Sequence, residues 1–187
     1  MSVNGSVWID YDNDRDVDMF IAKCGGSEER RTNQMHTNNG DGTFTENALD
    51  LGLADPMQTW SSAWADYDND GDMDVFVGAS TGDHKLMRNN GDGTFTDIGP
   101  SCNLADIIQT WSAAWGDFDN DGDMDAYVGS STGYDHKLMR NNGDNTFTDV
   151  TSGSGVSTAK IGHENVPGDF DNDGKLDIYS NGSILFG

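Results

Sequence analysis

The 187-residue sequence has few basic residues and no long apolar run. It contains 10 Lys and Arg against 33 Asp and Glu, which gives a formal net charge of −23. Phosphate-bearing partners would be repelled by that charge, which argues against nucleic acids and anionic membranes. No apolar segment approaches the roughly 18 residues of a membrane-spanning helix. We therefore expect neither a nucleic-acid partner nor membrane insertion.

Helical periodicity and proline are also scarce. The chain has 3 Pro and 24 Gly. No segment of useful length has apolar residues spaced with the 3.6-residue period of a helix. The acidic residues recur periodically between Trp, Phe, Tyr and Val, which argues against a disordered acidic chain. The fold class expected is all-β. The first residues lack the basic and apolar regions of a signal peptide, and we expect a piece of a longer protein.

An acidic nine-residue pattern, D-x-D-x-D-G-x-x-D, stands out from this background. It occurs four times, at residues 10–18, 66–74, 117–125 and 169–177, with start-to-start spacings of 56, 51 and 52 residues. A repeat of about fifty residues is the length of one four-stranded propeller blade. The sequence therefore predicts an internally repeated protein.

Each acidic loop requires a cation. Two carboxylates about 5 Å apart repel by roughly 3 kcal/mol at an effective dielectric near 20, and several such pairs add together. Calcium accepts six to eight oxygen ligands in flexible geometry, and a tight loop can supply side chains from positions 1, 3, 5 and 9 and a carbonyl from position 7. Gly122, at position 6, is expected to make the sharp turn.

The segments between the loops read as strands and turns. In the second repeat, we predict strands at 59–65, 75–78, 85–89 and 94–98. The sequence NNGDG at 38–42 and 89–93, and its variant at 141–145, predicts hairpin turns because Asn and Gly accept positive φ. We favour turn chemistry there over a second metal site.

The repeats divide the chain into blades of one propeller spanning 1–187. The predicted limits are about 1–56, 57–107 and 108–159, with an incomplete blade at about 160–187 that stops before its outer strand. This amounts to about 3.75 blades.

The segments WADYDNDGDMDVFVG and KLMRNNGDGTFTDI resemble the FG-GAP/VCBS repeat family, the calcium-loop blades of integrin alpha-chain heads and many extracellular proteins. The resemblance implies a β-propeller, usually seven-bladed, with calcium loops joining the first and second strands of each blade. It implies up to four Ca²⁺ ions, held by side chains at positions 1, 3, 5 and 9 and by the carbonyl of position 7. By position these residues are Asp10, Asp12, Asp14, Asp16, Asp18, Asp66, Asp68, Asp70, Asp72, Asp74, Asp117, Asp119, Asp121, Asp123, Asp125, Asp169, Asp171, Asp173, Lys175 and Asp177.

Two residues depart from the pattern. Arg15 replaces the position-6 glycine, where a left-handed conformation costs a non-glycine residue roughly 1–2 kcal/mol, so we expect a weaker or distorted first site. Lys175, at position 7, supplies a carbonyl. An EF-hand is excluded because its twelfth position would carry Glu, whereas Val77 and Val128 stand there.

Other candidate residues have simpler explanations. The recurrence of Asp-His-Lys at 83–85 and 135–137 argues against catalysis, and leaves contact with a ligand from an exposed loop as an alternative. Trp60 and Trp111 could stack on sugar rings, although packing of the inner strand is favoured. His163-Glu164 is weak evidence for a site, because it is not part of an HExxH motif.

The cysteines and sequons are also weak signals. Cys24 and Cys102 are too few for a disulfide framework, and Cys102 aligns with Leu51, which favours a small buried residue. Asn4 and Asn181 begin glycosylation sequons that matter only on a eukaryotic secretory route.

These features lead to three functional hypotheses. The first is a non-enzymatic extracellular scaffold, adhesion or assembly module with structural calcium, secreted or on the cell surface, that meets a protein or glycan ligand. The second is a lectin that uses loops at the blade edges, and the third is the propeller portion of a polysaccharide-active enzyme. Because exposed apolar blade faces are unstable, we expect a homo-oligomer or part of a longer chain.

Overall fold

The computed structural model describes residues 2–106, 109–130, 135–156, 165–180, 182–185 and 187. Within these residues the chain forms fifteen β-strands and two short helices. The strands are β1 Ser2–Ile9, β2 Asp18–Cys24, β3 Gln34–Asn38, β4 Phe44–Glu46, β5 Thr59–Ala65, β6 Asp74–Ala79, β7 Lys85–Asn89, β8 Phe95–Asp97, β9 Thr110–Gly116, β10 Asp125–Ser130, β11 Lys137–Asn141, β12 Phe147–Asp149, β13 Asn165–Gly168, β14 Asp177–Ser180 and β15 Ser183–Leu185; the helices are α1 Glu28–Arg31 and α2 Ala48–Leu51.

The strands form four antiparallel sheets, one for each repeat, which confirms the all-β class. We call them blade 1 (β1–β4), blade 2 (β5–β8), blade 3 (β9–β12) and blade 4 (β13–β15), since each sheet keeps its strands in chain order like a propeller blade. Within the described residues, blade 4 has three strands. In blade 2 the strands match the predicted ranges closely, and β5 and β7 have the predicted bounds.

The second strands of blades 2 and 3 are buried on both faces because a neighbouring blade covers each face. In β6, Val75 and Val77 join a buried cluster with Phe20 of blade 1. Phe76, between them, points to the opposite side and joins a cluster with Leu104 and Ala126. Alternate side chains thus pack on the preceding and following blades, so the core lies between sheets rather than within one sheet.

The predicted NNGDG turns are confirmed as hairpin connections. Asn39, Asn90 and Asn142 donate their backbone N–H groups to the carbonyls of Thr43, Thr94 and Thr146, each at 3.0 Å. The first glycine of each turn has a φ of about +70°, which any residue with a Cβ would adopt only with strain.

Two helices were not expected from the sequence. In α2, Ala48 and Leu51 are buried against blade 1, and the helix ends at Gly52 with φ +82°. A helix of four residues is about one turn, too short to show the repeating apolar period that identifies helices in a sequence. Among the described residues, neither helix has the length or apolar character needed to span a bilayer.

The cysteines behave as small core or surface residues. Cys102 is fully buried among Leu86, Leu104 and Phe147, as its alignment with Leu51 predicts. Cys24 is partly exposed, and both thiols are free.

Candidate metal centre

Each acidic loop joins the first and second strands of its blade, so the four loops occupy equivalent places in the fold. In every loop, three carboxylate oxygens from different residues lie within 4.8 Å of one another. The groups are Asp10, Asp12 and Asp18; Asp66, Asp68 and Asp70; Asp117, Asp119 and Asp125; and Asp169, Asp171 and Asp177. All twelve are among the predicted ligands.

Backbone amides hold the position-1 carboxylate in place. Asp66 accepts N–H bonds from Asp70 at Oδ1 and from Gly71 at Oδ2, both at 3.0 Å. The third and fourth loops repeat this pattern at Asp117 and Asp169. The loop backbone therefore fixes the orientation of the position-1 carboxylate.

The position-9 carboxylate is buried at the base of the loop. In Asp74, Oδ1 accepts the N–H of Asn89 at 2.7 Å and Oδ2 accepts that of Tyr67 at 3.3 Å. Asp125 makes the equivalent pair with Asn141 and Phe118. These bonds connect the loop to the third strand of its blade.

Burial makes the charge at position 9 costly. It raises the pKa of Asp74 to about 7 and that of Asp125 to about 6, and in both cases nearby loop carboxylates add to the effect. Burial first, and then the neighbouring carboxylates, also raises the pKa of Asp68 and Asp119 at position 3. A bound divalent cation would relieve both causes, so the electrostatics of the loop fit a metal.

The loop turns use left-handed backbone at positions 4 and 6. The position-4 asparagines have φ between 59° and 63°, and the position-6 glycines have φ between 89° and 97°. The sharp turn predicted at Gly122 is confirmed. Arg15 is forced into the same region with φ 77°.

The first loop also differs in its hydrogen bonds. The amide of Asp14 donates to Oδ1 of Asp12 at 3.4 Å, whereas the equivalent amides of the other loops reach the position-1 carboxylate. Within the described residues, Oδ1 of Asp10 in the first loop and Oδ1 of Asp68 in the second loop are both buried without a hydrogen-bond partner. An unsatisfied carboxylate oxygen is therefore not specific to the loop that contains Arg15.

The groups do not include the other four predicted side-chain ligands, Asp14, Asp74, Asp121 and Asp173. They also do not include the position-7 residues, which were predicted to offer backbone carbonyls: Asp16, Asp72, Asp123 and Lys175. The donor set is made of carboxylate oxygens, which suits calcium rather than metals that prefer nitrogen or sulfur ligands.

Side chains at positions 4 and 7 join neighbouring loops, a feature missed in the sequence. Nδ2 of Asn13 donates to Oδ1 of Asp72 at 2.9 Å and to the carbonyl of Gly71 at 3.1 Å. In the same way, Nδ2 of Asn69 donates to Oδ1 of Asp123 at 3.0 Å. The sequence signal for these bonds between loops is the Asn that occupies position 4 of all four loops.

In blades 2 and 3, a second asparagine connects the turn to the acidic loop of the preceding blade. Nδ2 of Asn89 donates to the carbonyl of Tyr11, and Nδ2 of Asn141 donates to the carbonyl of Tyr67, both at 2.9 Å. The NNGDG segment therefore joins blades as well as forming a turn.

The two Asp-His-Lys segments are structural, and the expectation of an exposed ligand contact is wrong for their histidines. His84 and His136 are buried. Nδ1 of His136 accepts the N–H of Ser130 at 2.9 Å, and Nε2 of His84 lies 2.8 Å from Oγ1 of Thr110. Burial lowers the pKa of His84 to about 4, so it is neutral at pH 7.

The tryptophan packing hypothesis is confirmed. Trp60 and Trp111 stack on each other across two blades, with ring centroids 5.3 Å apart and planes inclined by 20°. His163-Glu164 and the Asn181 sequon lie outside the described residues, and Asn4 belongs to β1.

The family follows from comparison with known proteins. A family model described as FG-GAP-like repeat matches residues 10–77, 66–128 and 129–180, most of the chain. The chain belongs to the FG-GAP-like repeat family. Each of the three matches contains at least one whole acidic loop, so the acidic loops lie within the family's repeat.

Curated relatives of this FG-GAP-like repeat chain carry the name cartilage acidic protein 1. The human protein is 33% identical over 162 residues, which is 80% of this chain and 24% of that protein. The Xenopus tropicalis protein is 33% identical over 117 residues. The chain thus spans about a quarter of the length of the human relative.

A solved lectin structure shares the fold. That lectin, from Agrocybe aegerita, specifically recognises non-reducing terminal N-acetylglucosamine, and it superposes with a TM-score of 0.57 at 19% identity. The match covers 95% of this chain and 47% of the lectin. At this identity, the likeness concerns the fold alone.

Proposed function

We propose that this chain is a calcium-binding β-propeller module of an extracellular scaffold or adhesion protein, in which the calcium is structural. The observation that carries the proposal is that a group of three carboxylates recurs in the equivalent loop of all four blades, always with the aspartates of positions 1 and 3. A catalytic metal is needed once, whereas a metal that serves each structural unit recurs with that unit. The blade limits near residues 56, 107 and 159 are part of this proposal.

The position of the loops supports a structural role. The first three loops are each bonded to the third strand of their own blade through position 9, and they are joined in series through Asn13 and Asn69. An ion that orders one loop therefore also orders contacts between blades. Calcium at all four loops would offset about eight of the 23 net negative charges.

An extracellular location is supported by the relatives. Their name refers to cartilage, a tissue built largely of extracellular matrix. Calcium is about millimolar outside cells, which suits modules that bind it with dissociation constants of about 10⁻⁴–10⁻³ M. We propose a protein or glycan ligand on an extracellular surface.

A lectin is the second candidate, because the fold is shared with a sugar-binding protein. The residues first considered for sugar contact make contacts inside the protein instead. His84 and His136 are buried, and Trp60 stacks on Trp111. A glycan array in calcium separates the candidates, since four similar blades should bind sugars multivalently if the lectin hypothesis holds. No observation in the described residues favours the polysaccharide-active enzyme.

Thermal unfolding in calcium and in EDTA tests the structural role. With about 1 mM calcium and a dissociation constant near 10⁻⁴ M, each site adds about 1.4 kcal/mol, so four sites add about 6 kcal/mol. Chelation should therefore lower the melting temperature by on the order of 10–20 °C, and magnesium should restore less than calcium. An unchanged melting temperature in EDTA would overturn the proposal.

A further inference from the structure

A continuous series of buried hydrogen bonds connects the position-9 aspartates of the first two loops. In the first loop, Oδ2 of Asp18 accepts the backbone N–H of Tyr11 at 3.3 Å. The carbonyl of Tyr11 accepts a bond from Nδ2 of Asn89 at 2.9 Å, and the N–H of Asn89 donates to Oδ1 of Asp74 at 2.7 Å. Two carboxylates from different blades are therefore joined through one tyrosine and one asparagine.

The same series continues from the second loop to the third. Oδ2 of Asp74 accepts the N–H of Tyr67 at 3.3 Å, and the carbonyl of Tyr67 accepts a bond from Nδ2 of Asn141 at 2.9 Å. The N–H of Asn141 then donates to Oδ1 of Asp125 at 2.8 Å. Asp74 is thus connected through one oxygen to each neighbouring blade, and the position-9 groups of three loops belong to one buried network.

An exposed connection crosses the same two junctions between blades. Asn13 and Asn69 stand at position 4, between the predicted ligands of positions 3 and 5, and each donates to the position-7 aspartate of the next loop, Asp72 or Asp123. That aspartate is held against the turn of its own blade, since a Cβ at Gly143 would lie only 2.8 Å from Oδ2 of Asp123. Position 7 is where we predict a carbonyl ligand, so each asparagine links the ligands of two loops.

Among the described residues, the junction between the third and fourth loops lacks both connections because its residues differ. Lys175 stands at position 7, and its Nζ donates to the carbonyl of Gly187 at 3.3 Å. An ammonium group accepts no hydrogen bond, so this side chain cannot receive the amide of Asn120. Gly187 takes the place of the turn asparagine: its N–H donates to Oδ1 of Asp177 at 2.9 Å, but glycine has no side-chain amide to reach the third loop.

We propose that the first three loops bind calcium as one coupled set, whereas the fourth loop binds it independently. Calcium in one loop of the set raises the affinity of the next loop. The asparagines that cross between blades are positioning residues, since they act through the loops that they contact: Asn13, Asn69, Asn89 and Asn141. This coupling rests on the calcium binding proposed above.

The coupling follows from the order that an ion imposes on its loop. Calcium fixes positions 3, 5 and 9, and therefore also fixes the asparagine at position 4 and the groups bonded to position 9. The next loop then loses less conformational freedom when it binds its own ion, which is positive cooperativity without a change of fold. Hydrogen bonds of ordinary strength give about a three- to tenfold gain in affinity, and the gain is reciprocal between the two loops.

Charge acts in the opposite direction. A filled loop is less negative than an empty one, so it attracts calcium to its neighbour less strongly. At about 0.15 M salt the screening length is about 8 Å, which weakens this effect between loops. Replacing an asparagine leaves the charge unchanged, so a difference between variant and parent isolates the hydrogen bonds.

A calcium titration followed by NMR of the isotope-labelled whole chain reads the loops separately. The position-6 amides of Gly71, Gly122 and Gly174 serve as reporters, because each donates to the position-1 carboxylate of its own loop. In chelator-stripped protein at pH 8, Gly71 and Gly122 should follow calcium with Hill coefficients of about 1.3–1.5. Gly174 should follow a curve for a single independent site.

The double variant Asn69→Gly with Asn141→Ala removes both connections between the second and third loops. It should reduce the Hill coefficient at Gly122 to that of an independent site and lower the affinity there about three- to tenfold. Asn69→Gly alone, an exposed change that suits the φ of 59°, should have part of this effect. Asn120→Gly is the matched control: it has the same position and a φ of 61°, and it should change none of the Hill coefficients.

Steepness distinguishes coupling from a general loss of structure, because a damaged loop binds more weakly without changing its neighbour's curve. Far-ultraviolet circular dichroism checks that each variant folds as the parent chain does. Calcium binding with independent curves at all loops of the parent would overturn the coupling and leave structural calcium intact, whereas no calcium binding would overturn both. Steep curves retained in the double variant, or lost in the Asn120→Gly control, would also overturn the coupling.

Discussion

At the scale of residues, Arg15 is the clearest exception among the four loops. It adopts φ 77°, which costs about 1–2 kcal/mol, although glycine itself costs about 0.5–1 kcal/mol in unfolded-chain entropy. We therefore predict that Arg15→Gly stabilises the protein by about 0.5–1 kcal/mol, measured by urea unfolding in calcium. Arg140→Gly in β11 is the matched control and should destabilise by a similar amount. If both substitutions raised the free energy of unfolding, or both lowered it, the proposed strain at Arg15 would be contradicted.

The buried position-9 aspartates make calcium binding dependent on pH. Burial raises the pKa of Asp74 to about 7 and of Asp125 to about 6, so below those values protons compete with calcium for the ionised carboxylate. Calcium affinity should fall between pH 8 and pH 5.5, by up to tenfold per pH unit at each site and first in the second loop. Calorimetric titration at the two pH values checks this, and equal affinities would contradict it.

Unfolding stability is a less direct readout of these pKa values. Because the folded-state pKa values of Asp74 and Asp125 exceed the unfolded value of 3.8, they stabilise the metal-free protein as pH falls from 7 towards 4. His84 acts in the opposite direction. Its folded pKa of about 4 lies below the unfolded 6.5, so its contribution is lost as pH falls through that interval. Calcium affinity isolates the aspartates because the histidine is remote from the loops.

At the scale of elements, the asparagine that opens the turn in blades 2 and 3 also joins two blades. Asn141→Ala removes bonds from Nδ2 to the carbonyls of Tyr67 at 2.9 Å and Met124 at 3.3 Å, in a buried place. Leaving buried carbonyls unpaired costs about 1–3 kcal/mol, so we predict a loss of that size in urea unfolding.

Asn38→Ala is the control for that prediction. Asn38 has the same turn bond to a glycine amide, but its Nδ2 makes one exposed contact of 3.3 Å, with the carbonyl of Val17 in its own blade. In the same measurement, Asn38→Ala should cost under about 1 kcal/mol. Equal losses at the two positions would contradict the bond between blades.

The strands could be predicted because they repeat with clear boundaries. β5 and β7 begin and end where the sequence places them, since an acidic loop or an Asn-Gly turn follows each. The burial of His84 and His136 could not be predicted in the same way. Their position beside Asp and Lys resembles an exposed loop, and only the packing of the next blade covers them.

At the scale of the whole molecule, identical residues at equivalent positions of the repeat differ in burial. Trp8 and Trp64 occupy equivalent positions in the repeat, so the sequence alone gives them equal burial, whereas the structure exposes Trp8 and packs Trp64 on Phe20. The carboxylate groups were predictable because each is local to nine residues. The contacts between loops join residues more than fifty positions apart, which a local pattern does not specify.

Calcium stoichiometry is the measurement that tests the account most directly. Chelator-stripped protein, titrated calorimetrically at pH 8 and checked by atomic emission after dialysis, should bind four calcium ions per chain, the first loop most weakly. The double variant Asp117→Asn with Asp119→Asn removes two carboxylates from the third group and should bind three. No bound calcium in the parent chain, or four ions retained by the variant, would contradict the claim that these loops hold the metal.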